Sequence, residues 1–176
     1  TVNAWLRHYL NCYLSPLLHC YYYHDMRFMP HGENLILVLE NHVPVKAIMK
    51  DIGEEVAVIA PNVVLPESVE RIRIPVPEEL KILSIFTQAF DCFFRFLNHI
   101  LVVHADYPEE QFWETVAECI LAYQREYPEL EEKYQKYDLF MSEIPKTCLI
   151  RLQLKNSKKM IDGSNPFKHQ QFAGTL

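Results

Sequence analysis

The 176-residue sequence is poor in glycine, with 4, and in positive charge, with 17 Lys and Arg against 23 Asp and Glu. So few glycines exclude a fibrous or low-complexity linker chain. The formal charge of -6 excludes a global basic field able to hold nucleic acid or an anionic membrane. Any anionic ligand must therefore be held by a few local cations or by a metal. The cysteines, Cys12, Cys20, Cys92, Cys119 and Cys148, are odd in number and include no Cys-x-x-Cys pair. That pattern reads as reduced thiols of a cytoplasmic protein, without a zinc site or a disulfide framework. Long hydrophobic runs are missing too: the least charged stretch, Tyr9 to His24, is broken by Asn11, Ser15, Pro16 and His19, well short of a membrane span. No signal-peptide pattern opens the chain. It starts at Thr1 and enters an amphipathic helix at once, which sets the expectation of a piece cut from a longer protein. What is present is 49% apolar and 12% aromatic residues, enough for a core without staples.

Trp5, Leu6, Tyr9, Leu10, Tyr13, Leu14, Leu17, Leu18, Tyr21 and Tyr22 recur at steps of three and four, the mark of a helix with one buried face, kinked at Pro16. Two β-rich runs follow, Leu35 to Leu39 and Val43 to Met49, joined by Glu40, Asn41 and His42, and they read as a hairpin. The first run is apolar at every position, which predicts deep burial. Residues 51–77 hold Pro61, Pro66, Pro75 and Pro77 and predict loops with at most a short strand near Val56 to Ile59. Pro77, Glu78 and Glu79 suit the start of a long helix carrying Ile82, Leu83, Phe86, Phe90, Phe93, Phe94, Leu97, Ile100 and Leu101. Asp106 to Glu110 should cap a third helix, and Pro128 should start a fourth through Tyr137. Pro145 to Lys155 fits helix or strand, and the residues beyond Asn156 have the composition of a mobile tail. The fold class predicted is α+β, mostly helical: a small antiparallel hairpin or sheet packed by helices, then a helical subdomain. The division is 1–76, 77–156 and a tail 157–176.

The segment richest in chemistry is Pro30-His31-Gly32-Glu33-Asn34, then the hairpin, then Lys50-Asp51-Ile52-Gly53. Asn34 enters the first strand and Asp51 leaves the second, so an antiparallel hairpin carries both to one end. Magnesium takes oxygen ligands and commonly uses one or two protein carboxylates or amides plus phosphate oxygens, which suits such a pair. The order also echoes kinase-like enzymes, whose catalytic-loop Asn and Asp-x-Gly hold the metals on ATP. Each residue alone is more simply a hairpin-end or loop residue; the combination favours a site.

On Met29, Pro30, His31, Gly32, Glu33 and Asn34, then Lys50 and Asp51, the sequence resembles the carboxy-terminal half of the IucA/IucC-like, NRPS-independent siderophore (NIS) synthetases. Their motif reads approximately Glu-Ala-His-x-Gln-Asn, then a hairpin and Arg-Asp. Weaker likeness extends through Asn98-His99, Lys146 to Arg151 and Asn165-Pro166-Phe167. The resemblance implies a hand-like fold, with 1–76 in the palm and 77–156 as a thumb. It also implies an ATP- and Mg2+-dependent ligase that adenylates a carboxylate of citrate or a related acid and passes it to an amine or alcohol. Under it His31 contacts the substrate carboxylate or the phosphates, and Asn34 and Asp51 bind the metal on the nucleotide. Glu33, in the same segment, is a further candidate for the nucleotide site. The charge of -6 calls for local cations there, and the candidates are Lys50, Lys146 and Arg151, the last foremost because it is set among apolar neighbours. Glu33 and Met29 depart from the family's usual Gln and Glu. A homodimer and packing on an amino-terminal half are the implied partners, with neither nucleic acid nor membrane among them.

Two other readings compete. A kinase-like phosphotransferase lobe would need a catalytic Asp between His31 and Asn34, and none stands there. A non-catalytic helical module would use the Phe86, Phe90, Phe93, Phe94 and Phe96 face as an interface. His8, His19, His24, His99 and His104 read as structural histidines, and Tyr21 to Tyr23 as an aromatic helix end under the hairpin.

Overall fold

The computed structural model describes residues 1–30 and 32–143. Helix α1, Val2–Tyr22, is capped by Thr1, whose Oγ1 accepts from the Ala4 N–H, and it runs unbroken through Pro16. One face of it is wholly buried from Leu6 to Tyr22 and forms the spine of the core. Strand β1, Met26–Phe28, pairs antiparallel with β4, Val56–Val58, and strands β2, Leu35–Glu40, and β3, Val43–Met49, form the hairpin. Asn41 and His42 both take positive φ, 49° and 66°, the left-handed pair that a tight two-residue hairpin turn requires.

The β2 run is shallower than its composition predicts. Leu35 and Leu37 pack against the core, but Ile36 is 49% exposed and its cross-strand partner Ile48 44%. Only one face of a two-stranded sheet can lie on α1, and among the described residues nothing covers the other. The aromatic end of α1 is corrected as well. Trp5 reaches the hairpin, donating Nε1–H to the His42 carbonyl at 3.1 Å, whereas Tyr22 packs on Tyr123 and Tyr134. The stretch after Asp51 is more ordered than its prolines suggest. It contains the short helix α2, Ile52–Glu55, then β4 and a 3-10 turn, Glu67–Ile72, with Arg73 bridging to Val58.

The long helix forms in pieces: a 3-10 turn, Glu78–Leu80, then α3, Leu83–Ile85, a π-helix, Phe86–Phe94, and α4, Arg95–Ala105. In the π segment Phe86, Phe90 and Phe94 stand in a column with ring centroids 5.5 Å apart at each step. The wider π turn shifts the α-helical pattern, so Leu97 and Leu101 pack against the core while Ile100, expected inside, is 52% exposed. Asp106 does not cap the next helix; at φ 49° it closes α4 in the left-handed conformation. Helix α5, Glu109–Glu126, instead begins after Pro108 with Glu109 and Glu110 in its first turn, and packs along α1. A 3-10 turn, Pro128–Leu130, leads into α6, Glu131–Lys136. The Phe-rich face divides: Phe86 and Phe94 are buried, Phe90 and Phe93 half-buried, and Phe96 exposed. The fold is thus mostly helical with small antiparallel sheets. Pro145 to Lys155 and the tail 157–176 lie outside the described residues.

Candidate active site at the base of the hairpin

The hairpin closes at its open end through one backbone bond, Lys50 N–H to the Asn34 carbonyl, 2.9 Å. This brings Glu33, Asn34, Lys50 and Asp51 to a single edge. Asn34 is 2% exposed, and its Nδ2 donates to the Met29 carbonyl at 3.3 Å. The carboxamide oxygen, the acceptor of that side chain, is the atom with which Asn34 would meet a hard cation. The loop before it is anchored from below: Tyr13, buried in α1, donates its hydroxyl to the Pro30 carbonyl at 3.0 Å.

Asp51 leaves the second strand in the left-handed conformation, φ 55° and ψ 27°, a backbone that Asp and Asn tolerate better than most side chains. Its exposed carboxylate receives Lys50 Nζ at 2.7 Å. That hydrogen bond, with the nearby charges of Asp51, Glu33 and Glu55, raises the Lys50 pKa and holds the ammonium protonated. Glu33 lies exposed in the turn before β2. His31, Lys146 and Arg151 lie outside the described residues.

The residues present fit magnesium by the chemistry of their donors: one carboxamide and one carboxylate at a hairpin end, the small oxygen set that Mg2+ accepts while keeping room for phosphate oxygens and water. No group of three or more His, Cys, Asp or Glu side chains gathers as a metal-holding cluster among the described residues. Phosphate oxygens would have to supply much of the coordination.

Two cations escape a sequence reading. Arg27, on β1 and paired with Ala57 of β4, is half-buried, and burial lowers its guanidinium pKa to about 10, still charged at neutral pH. Its alternation with Phe28 across a three-residue strand is too short a signal to find. Arg71 follows β4 in the 3-10 turn, and only the tertiary fold returns it to α2. A groove of about 650 Å³ lies elsewhere, between the π segment and α5, walled by Phe86, Phe90, Trp113, Val116, Ile120 and Phe140. Its carboxylates are engaged within the fold, Asp91 with Arg95 and Glu109 with Asn98 and Trp113.

The family described as "Ferric iron reductase FhuF-like transporter" matches residues 3–162. The chain belongs to the FhuF-like family. This FhuF-like chain is 49% identical, over all 176 of its residues, to 28% of the putrebactin synthase of Shewanella sp. (strain MR-4). Over 88% of its length it is 32% identical to 26% of the rhizobactin siderophore biosynthesis protein RhbF of Rhizobium meliloti (strain 1021). The fold matches the aerobactin synthetase IucC of Klebsiella pneumoniae with a TM-score of 0.76 at 21% identity, covering 83% of this chain and 28% of that one. The FhuF-like chain thus spans little more than a quarter of the curated relatives it matches, and it corresponds to the carboxy-terminal part of the siderophore synthetases.

Proposed function

We propose that the protein carrying this chain is an ATP- and Mg2+-dependent siderophore synthetase acting in the cytoplasm. It adenylates a carboxylate of citrate or a related acid and condenses it with an amine or alcohol. The observation that carries the reading is the Asn34–Lys50 backbone bond, which holds a buried carboxamide and a carboxylate at one hairpin edge in a chain whose relatives include a putrebactin synthase and a rhizobactin siderophore biosynthesis protein.

In the reaction a substrate carboxylate oxygen attacks the α-phosphorus of ATP, the bond to the bridging oxygen breaks, and pyrophosphate leaves. The acyl carbon then takes the amine nitrogen or alcohol oxygen, AMP departs, and the nucleophile's proton passes to a base or to water. Bound to Asn34 and Asp51, Mg2+ would offset negative charge on the phosphates. Lys50, kept protonated by Asp51, adds a cation at the same edge. Tyr13 and Met29 fix the loop, so Asn34 needs no reorganisation when charge develops. His31 is assigned to the substrate carboxylate or phosphates, with Glu33 and Arg151 beside the nucleotide. Residues 1–76 form the palm-like part and 77–156 the thumb-like part. The uncovered hairpin face, Ile36 and Ile48, packs on the remainder of the synthetase, and the exposed stripe Phe96, Ile100 and Val103 on α4 suits a homodimer contact.

The test is acid-dependent exchange of labelled pyrophosphate into ATP by the full-length protein, with citrate and other carboxylic acids as substrates. Exchange that requires both an acid and Mg2+ supports adenylation. Transfer of the γ-phosphate to an acceptor, without exchange, would replace it with the kinase-like reading.

A further inference from the structure

We propose that Arg71 is an oxyanion-binding residue of this site, a role that rests on the synthetase reading and deepens it. A Cβ placed on Gly53 would sit 3.8 Å from Arg71 Nη2, so the guanidinium lies over α2, two residues beyond Asp51. The side chain is not loose there, because Nη1 donates to the Ser68 carbonyl at 2.8 Å and pins one edge of the fork. That leaves Nη2 turned toward α2.

The neighbouring cations are engaged. Lys50 is paired with Asp51 at 2.7 Å, and Arg73 is held by Glu70 together with the carbonyls of Ala60, Pro61 and Val63. Arg71 makes no ion pair with any described carboxylate. A planar guanidinium with one edge fixed and the other open matches the paired oxygens of a phosphate or a carboxylate. Gly53 contributes by what it lacks. With no side chain on α2 at this point, an anion beside Asp51 can reach Nη2, and the Asp-Ile-Gly order acquires a reason beyond turn geometry. Phosphoryl oxygens of the nucleotide and carboxylate oxygens of the acid share this chemistry.

The experiment measures binding rather than turnover. Titration calorimetry on the full-length protein, without Mg2+, uses pyrophosphate in one arm and citrate in the other, for wild type, Arg71→Gln and Arg71→Lys. Loss of one charged hydrogen-bonding fork should weaken the anion by roughly tenfold or more in Arg71→Gln, with Arg71→Lys recovering part of it as a point charge. Thermal melts should coincide, because Arg71 is exposed. Weakening confined to pyrophosphate places Arg71 on the phosphate side, and weakening confined to citrate places it on the acid side. Equal affinity of wild type and Arg71→Gln for both probes, within about twofold, overturns the proposal. A wild type that binds pyrophosphate through Arg71 but exchanges none into ATP with any acid would refute the adenylation reaction and leave Arg71 as an anion residue.

Discussion

Lys50 donates its backbone N–H to the Asn34 carbonyl at 2.9 Å while its side chain grips Asp51 at 2.7 Å, so one residue ties both candidate metal ligands. Asp51→Asn removes the carboxylate charge, keeps the shape and keeps a residue type suited to the left-handed backbone. The ion pair it loses is solvent-exposed and contributes little to stability. Exchange activity should fall by more than the roughly 10–100-fold that loss of an outer-shell partner costs a metal site, with the melting temperature nearly unchanged. Turnover within threefold of wild type at saturating Mg2+ would count against Asp51 as a ligand.

Tyr13→Phe tests the support beneath the loop. The Pro30 carbonyl would lose its buried partner, at a cost of about 1–3 kcal/mol. Because Pro30 directly precedes His31, the variant should also raise KM for the acid or for ATP. Denaturant melts and initial rates together check this, and a stable variant with unaltered KM would show that the hydroxyl supports nothing in the site.

His31→Ala should lose turnover while the fold persists. A structural loop histidine would give the reverse, a lower melting temperature with activity per folded molecule retained.

Glu78 offers a pH test away from the site. Lys136, Lys81 and the Tyr137 hydroxyl converge on its carboxylate and lower its pKa from the ordinary 4.5 to about 2. A depressed carboxylate contributes stability fully above its unfolded pKa and loses it as pH falls through the folded one, so the contribution should vanish between about pH 4.5 and 2. The carboxylate is about half exposed, and solvent screening keeps the effect near 1 kcal/mol. Glu78→Gln should therefore be less stable at neutral pH and show a flatter fall in melting temperature below pH 4.5. Parallel pH profiles of the two proteins would contradict the assignment.

The 176-residue chain by itself should fold on the core shared by α1 and α5, yet bind Mg·ATP no tighter than millimolar and release no pyrophosphate. Its bare apolar patches on the hairpin and α4 should make it self-associate. Micromolar nucleotide affinity measured by calorimetry would mean that the nucleotide site is placed on the wrong part of the protein.

The hairpin and the meeting of its edge residues were legible because two β-rich runs, a polar turn and a motif lie within some twenty consecutive positions. The buried face of α1 was legible for the same local reason. The pairing of β1 with β4 was not, since three residues carry too little pattern to announce a strand and the partner lies thirty positions away. Arg71 was hidden for a related reason: its place over Gly53 is set by the chain's return after β4. The depth of β2 was misjudged because its all-apolar composition does not say how many layers cover it. Ile36 and Ile48 are apolar, but no described element reaches them.

The π segment also sets the rotational phase of everything after it. Helix α4 carries apolar side chains on two stripes, Leu97 with Leu101 facing the core and Phe96, Ile100 and Val103 facing out, so greasiness does not choose its orientation. The choice is made upstream, by how many residues the chain uses between Phe86 and Phe94. Removing one of them and restoring an α-helix would turn α4 by about 100° and swing a different stripe inward. The phenylalanine column therefore works as a key, fixing which of two similar surfaces α4 turns into the core and which it leaves exposed.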